Sequence, residues 1–573
     1  MKKIVFIILM FILSILIYES FCQRKIYPAD NDTAFNTGSN IVFPELDNRI
    51  ITNLDLLGKL WGFLKYHHPE IGKGNYNWDY ELFRILPEYL KVIDEKQRDR
   101  LLLDWINRYG LIPVCSTCKK TTANAFLRPD LSWIKKYHVC KELENKVKEI
   151  YKNRYQREQY YISMNFYHYP NFLHENPYSN MPYPDQGFRL LALYRYWNII
   201  QYFFPYRHLT NKDWSTSLKE YIPKFINAKD ELEYELTCTQ LMGEINDSHA
   251  GILIGDKIIQ SRGDKYAPFR VQFIENKFIV TDFYNPELQS NVKLQIGDII
   301  THIEGKPIEK IIDSIRVYYP ASNEVARMRD IAFNLLRSNL QSIEIQFISD
   351  DEKKKTILTL YEKDSLKIYG WFKENNEKCY KILHENISYI SLGSTKKDDI
   401  PIIKKIIKNK EKIIIDIRNG VSPDSYLLDQ YFFIENTPYV TVTLGNLTNP
   451  GEFTFSKPYS TPNSNEYYQG KLVVLVNEYT QSGSEWRAML FKVAPNATII
   501  GSTTAGTNGN VSIINLPGDI QTYISGIGVY YPDGTETQRV GIVPDIDVKP
   551  TIEGIKSGRD EVLEKAIEII NQQ

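Results

Sequence analysis

From about residue 378 to the C-terminus, short uninterrupted apolar runs alternate with stretches of helical period. Ile402, Ile403, Ile406 and Ile407 lie on one helical face, and Ile413-Ile414-Ile415 then forms a run with no polar face. Residues 472–476, LVVLV, make a second such run, residues 485–493 a helix, and residues 498–500 another strand. Strands apolar on both faces are buried on both faces, and a strand–helix–strand order places them side by side in a mostly parallel sheet. Such sheets carry their reactive groups at the strand C-terminal ends. The C-terminal third is therefore expected to be an α/β domain over residues 375–573.

Residues 473–490, VVLVNEYTQSGSEWRAML, place two serines between a buried strand and a helix. A hydroxyl there faces free N–H groups and the positive end of the helix dipole, which favour a developing anion. Ser482 and Ser484 compete for this place, and either could instead be a helix cap. A serine needs a neighbour to take its proton before it can attack.

The rest of the chain is read in pieces. With 573 residues, it is too long for one core. Two segments repeat: KLWGFLKYHHP precedes Trp78, and RYWNIIQYFFP precedes Trp214. Trp61 and Trp197, Pro69 and Pro205, and Trp78 and Trp214 are each 136 residues apart. A fixed offset across three marks indicates a duplicated helical unit, whose aromatic positions serve packing. The first unit is assigned to residues 23–180 and the second to 181–260. The 40 tyrosines are read likewise as core and edge residues. A β-rich segment follows at 261–365. Within it, LQIGDIITHIEGKPIEKII reads as a strand, a turn at Gly305 and a helix.

Lys2 and Lys3, an apolar run over residues 4–18 and small residues at Ser20 and Cys22 read as a signal peptide over residues 1–22, cut before Gln23. A membrane anchor and lipidation at Cys22 are the alternatives. A secreted or periplasmic location permits a disulfide within Cys115-Ser-Thr-Cys118, or from that pair to Cys140. The pair could also bind zinc with His138 nearby. The formal net charge of −1 marks neither a nucleic-acid binder nor an anionic-membrane binder.

TQSGSE resembles the S-x-S-E element of tricorn-type and C-terminal-processing (tail-specific) serine peptidases. Gly501-Ser502-Thr503-Thr504-Ala505-Gly506, Gly541-Ile542-Val543-Pro544-Asp545, Gly558-Arg559-Asp560 and Asp416-Ile417-Arg418-Asn419-Gly420 extend the resemblance in order. The 294–312 segment is similar to a PDZ domain. The resemblance implies a multidomain α+β protein. Its parts are N-terminal helical repeats, a PDZ-like β-rich domain and a C-terminal α/β peptidase domain of the ClpP/crotonase type. It implies Ser482 as nucleophile, with oxyanion donors at Gly483 and, from the Asp416–Gly420 loop, Gly420. After Asn419 the usual glycine pair is replaced by Val421-Ser422-Pro423.

One branch of the family places a lysine 25 residues after the serine; here that residue is Thr507. The tricorn-like branch uses a histidine preceded by serine, and Ser248-His249 matches it. A histidine with a pKa of about 6.5 can take and return the proton. The same branch places a glutamate shortly before its G-x-x-P-D element. Glu536 is the nearest carboxylate, five residues before Gly541, while Gln538 holds the three-residue spacing. The resemblance thus implies Ser482, His249, Glu536 and Ser248 as the catalytic set, with Ser248 bonding the ring. It implies peptides or unfolded proteins as substrates, no metal or organic cofactor, no nucleic acid and no stable span after signal cleavage, with a homo-oligomer left open. A non-catalytic peptide binder and an esterase on the same scaffold are the rival readings.

Overall fold

In the computed structural model, residues 26–572 are described apart from 371–372, 374–376, 385, 410, 434–435 and 463–466. The proposed signal peptide and Cys22 lie outside the described residues.

Both helical units take the same form. Helices α1 (Asn48–His67) and α2 (Trp78–Tyr89) make the first, and α3 (Gln186–Phe203) and α4 (Trp214–Asn227) the second. Each helix has an Asp or Asn at its N-cap, whose side chain accepts a first-turn N–H. Within each unit the two tryptophans clasp each other. Trp61 Nε1 donates to the Trp78 carbonyl and Trp78 Nε1 to that of Trp61, both at 2.9 Å. Trp197 and Trp214 repeat the exchange at 3.1 and 3.2 Å. A buried indole needs an acceptor, and this pairing supplies one to all four.

The units also pack through equivalent positions. A Cβ on Gly58 would lie 2.6 Å from the Tyr194 ring, and one on Gly62 would lie 1.9 Å from the Asn198 amide. Gly58 and Tyr194, like Gly62 and Asn198, are 136 apart. The large side chain of one copy fills the space left by glycine in the other, and both units share one core. Helix α5 (Glu231–Gly243) completes this region.

Strand β1 (Ile252–Ile254) follows, and then the PDZ-like domain. Its antiparallel sheet runs through β2 (Phe269–Ile274), β3 (Lys277–Phe283), β4 (Ile299–Ile303), β5 (Ser342–Ser349) and β6 (Glu352–Thr359), in the order β6-β5-β4-β3-β2. Gly305 takes φ +71° in the turn after β4, as its position in the sequence required. Helix α6 (Glu324–Asn334) packs beside β2.

The C-terminal sheet contains β7 (Tyr380–His384), β8 (Ile387–Ser391), β9 (Lys412–Asp416), β10 (Lys471–Val476), β11 (Ala497–Gly501) and, after a hairpin, β14 (Ile546–Asp547). It is ordered β7-β8-β9-β10-β11-β14 and is parallel from β8 onward. Helices α7 (Ile400–Asn409), α8 (Gly483–Lys492) and α9 (Glu561–Gln572) connect and flank it. The hairpin of β12 (Val511–Leu516) and β13 (Ile520–Ser525) leaves this sheet altogether. It pairs through β13 with β1, and its Ile514, Leu516, Ile520 and Ile524 enter the helical core.

A buried ion cluster fixes that docking. Glu175 accepts from Lys65 at 2.6 Å and forms an ion pair with Arg195 at 2.7 Å, and Arg195 also reaches Asp79 at 2.7 Å. Arg195 Nη1 donates to the Asn515 carbonyl in β12 at 2.7 Å. Cys115 and Cys118 form a disulfide, and Cys140 is free. No described helix is long and apolar enough to cross a membrane.

Candidate active site

Strand β10 ends at Val476, and the turn 477–481 lifts the chain into α8. Thr480 Oγ1 closes this turn on the Asn477 N–H at 3.1 Å. Ser482 then sits at φ 56°, ψ −120°, a conformation that costs a non-glycine residue energy. Its side chain makes no capping bond to α8, so the hydroxyl is not engaged as a helix cap. Ser482 is partly exposed, whereas Ser484 is buried inside the helix. Gly483 opens the helix, where N–H groups lack acceptors within it.

The loop 501–507 braces this elbow. A Cβ on Gly501 would lie 1.9 Å from the Val476 carbonyl, so only glycine lets β11 turn there. The N–H of Ser482 donates to the Thr507 carbonyl at 2.9 Å. From the helix side, Glu485 accepts from the N–H groups of Gly506 and Thr507 at 2.8 and 2.9 Å, and from the Thr504 hydroxyl. Burial pushes the Glu485 carboxyl up to about 8, with those three donors opposing the shift.

His249 reaches this loop from the opposite side. β1 and β13 pair with Ile252 opposite Thr522. Continuing that antiparallel register by three residues sets His249 against Ser525. His249 Nδ1 lies 2.9 Å from Ser525 Oγ, 3.4 Å from Thr507 Oγ1 and 3.6 Å from Asp247 Oδ1. Its side chain is 8% exposed, and Nε2 is buried with no hydrogen-bond partner. Burial lowers the His249 pKa below its usual 6.5, and the Asp247 charge opposes that fall. Thr507 thus touches both groups, Ser482 through its carbonyl and His249 through its hydroxyl. No hydrogen bond joins Ser482 to His249 directly among the described residues.

Two sequence expectations need correction. Glu536 is bridged to Tyr530 across a tight hairpin and accepts from His208 Nε2 at 2.6 Å, so its carboxylate is spent there and not on His249. Ser248 does not bond the ring. Its hydroxyl accepts from the Ser322 N–H, and its own N–H donates to Ser322 Oγ, both at 2.8 Å. Gln538 joins the same group, donating to Ser322 Oγ at 3.2 Å. Asp247, Thr507 and Ser525, which the sequence left without roles, surround the ring instead.

Gly420 takes φ +90° in its turn, and its N–H donates to the Ile417 carbonyl at 3.3 Å. Two of the motifs turn out to be a single ion pair. Arg418 binds Asp416 and spans to both oxygens of Asp560, at 2.9 and 2.8 Å. The loop after β9 is thereby tied to the start of α9. The turn ahead of Ser482 also touches the PDZ-like domain: Gln272 in β2 donates to Tyr479 Oη at 3.1 Å, and Arg329 in α6 to the Glu478 carbonyl at 2.8 Å.

Residues 386–548 match Peptidase family S41, and residues 264–365 match the PDZ domain. The chain thus carries a domain that matches Peptidase family S41. Its peptidase domain is that of a serine peptidase, a hydrolase. A putative tricorn-like protease C-terminal subunit from Sulfurisphaera tokodaii is 22% identical over 297 residues, which is half of this chain and 31% of that relative. The chain therefore spans under a third of that relative's length. Among solved structures, mature CPAF in complex with lactacystin superposes with a TM-score of 0.52 at 13% identity, over 68% of this chain and 99% of that one. Mature CPAF alone gives 0.53 at 14% identity, over 68% and 98%. At these identities the likeness is one of fold.

Proposed function

We propose that this protein is an endopeptidase that cleaves extended or C-terminal segments of peptides and unfolded proteins through an acyl-enzyme on Ser482. The observation that carries this reading is the elbow: a strained, partly exposed serine whose hydroxyl caps nothing, joined through Thr507 to a histidine with an unpartnered Nε2. His249 Nε2 takes the Ser482 proton as Oγ attacks the scissile carbonyl. The tetrahedral oxyanion forms against the Gly483 N–H, a donor of a kind worth about 3 kcal/mol. Collapse breaks the C–N bond, and His249 returns the proton to the leaving amine. Water, deprotonated by the same nitrogen, then frees the acid product and Ser482. Gly420 serves as second donor only if its N–H leaves the Ile417 carbonyl. Catalytic hydrogen bonds are often longer before substrate closes the site, so the lack of a direct Ser482–His249 bond among the described residues is compatible with this pairing.

The Cys115–Cys118 disulfide supports a secreted or periplasmic location, where such bonds persist. The bracing of the nucleophile turn by PDZ-like residues supports a substrate path between the two domains.

The test is labelling by a fluorophosphonate probe together with hydrolysis of fluorescent casein, on wild type, S482A, S484A and H249A. Loss of both in S482A and H249A, with S484A active, is expected. Loss in S484A alone would move the nucleophile. A wild-type protein that neither labels nor cleaves would be a peptide binder on a peptidase scaffold.

A further inference from the structure

The hydrogen-bond directions around His249 can be worked out from donors and acceptors. Asp247 is fully buried and its carboxylate only accepts. Oδ2 takes the Ser525 N–H at 2.7 Å. Oδ1 takes the Thr507 hydroxyl at 2.7 Å, the Ser525 hydroxyl at 3.1 Å and the His249 N–H at 3.0 Å. Both hydroxyl protons therefore point at Asp247. Ser525 Oγ is then left with lone pairs toward His249 Nδ1, 2.9 Å away, and Nδ1 must carry the proton. That tautomer puts the free lone pair on Nε2, the nitrogen the chemistry needs.

We infer that Ser525 and Asp247 form the relay that orients and polarises His249, Nδ1–H to Ser525 Oγ–H to Asp247 Oδ1, with a serine inserted where an acid would contact the imidazole directly. Ser525 and Asp247 are positioning residues: they touch the base, not the substrate. When Nε2 takes the Ser482 proton, the imidazolium charge lies one hydroxyl away from the Asp247 carboxylate. The relay is held by the strand pairing on one side and by hydrogen bonds to Asp247 on the other. Ser525 ends β13, whose pairing with β1 sets the ring's place, and Asp247 is held by four donors. Thr507, whose hydroxyl lies 3.4 Å from Nδ1, is neutral; Glu485 lies behind Thr507 on its backbone N–H.

This inference rests on His249 being the base for Ser482, and the test separates the two. The pH dependence of fluorophosphonate labelling of the full chain is measured from pH 5 to 9 for wild type, H249A, S525A, S525T, D247N and E536Q, with thermal midpoints alongside. S525A should slow labelling roughly tenfold to a hundredfold without a matching loss of thermal midpoint, and S525T, which keeps the hydroxyl, should recover most of the rate. D247N should lower the plateau and move the acid limb to lower pH, because the charge that favours the imidazolium is gone. A residue that only supports the fold would lower the plateau and leave the limb in place. Should S525A not fold, D247N carries the test, since its amide keeps the shape of the site. Wild-type labelling and an unmoved limb in S525A and D247N, or a loss confined to E536Q, would overturn the relay. H249A labelling at the wild-type rate would instead overturn the assignment of the base beneath it.

Discussion

At the residue scale the site holds two buried groups displaced from their usual titration ranges in opposite senses. His249 is pushed below 6.5 by burial. The acid limb of kcat/KM is therefore expected below pH 6.5, as the neutral imidazole is the active form; a limb above 7 would contradict it. Glu485 is raised to about 8 from 4.5. A folded-state pKa above the unfolded one means the folded protein holds the extra proton. The stabilisation is then full below about pH 4.5 and is lost as pH rises through about 8. The thermal midpoint of wild type, relative to E485Q, should fall between pH 5 and 8.5. A constant difference across that window would show that Glu485 does not take up the proton.

Several elements were legible in the sequence for local reasons. The apolar runs at 413–415 and 472–476 are adjacent parallel strands because a run with no polar face has nowhere else to go. The 136-residue offset marked two units that are built alike, down to the indole exchange. What the sequence could not supply was the partner of β13. Ser525 reaches His249 only because a hairpin leaves its own sheet and pairs with β1, which no local period encodes. Glu536 misled for a related reason: counting residues back from Gly541 treats the chain as straight, whereas the Tyr530–Glu536 hairpin aims the carboxylate at His208. Two substitutions test the elements. G62A places a methyl where the Asn198 amide sits, and should cost about 1–3 kcal/mol by overpacking. R195M leaves Asp79 and Glu175 buried without their shared cation, and should cost about 3–5 kcal/mol. Both are read as lowered unfolding midpoints; a wild-type midpoint in either would mean that the interface adjusts freely.

At the scale of the whole molecule, the helical, PDZ-like and peptidase regions converge on one loop. Residues 504–507 are gripped by α8 through Glu485, by Asp247 through Thr507, and by Asn323, whose amide donates to the Thr504 carbonyl at 2.8 Å. The PDZ-like domain adds a second grip through Arg329 on the Glu478 carbonyl. R329A should therefore lower labelling of Ser482 by severalfold while the helical core unfolds at its usual temperature; equal labelling would make the PDZ-like contact incidental to the elbow.

The pairing of β1 with β13 also orders events during synthesis. A ribosome that has just released α8 has delivered both the histidine and the serine, yet the strand that seats the imidazole is still unmade. Under the proposed assignment, the base is seated only once the following hairpin has emerged, a delay built into the order of the strands.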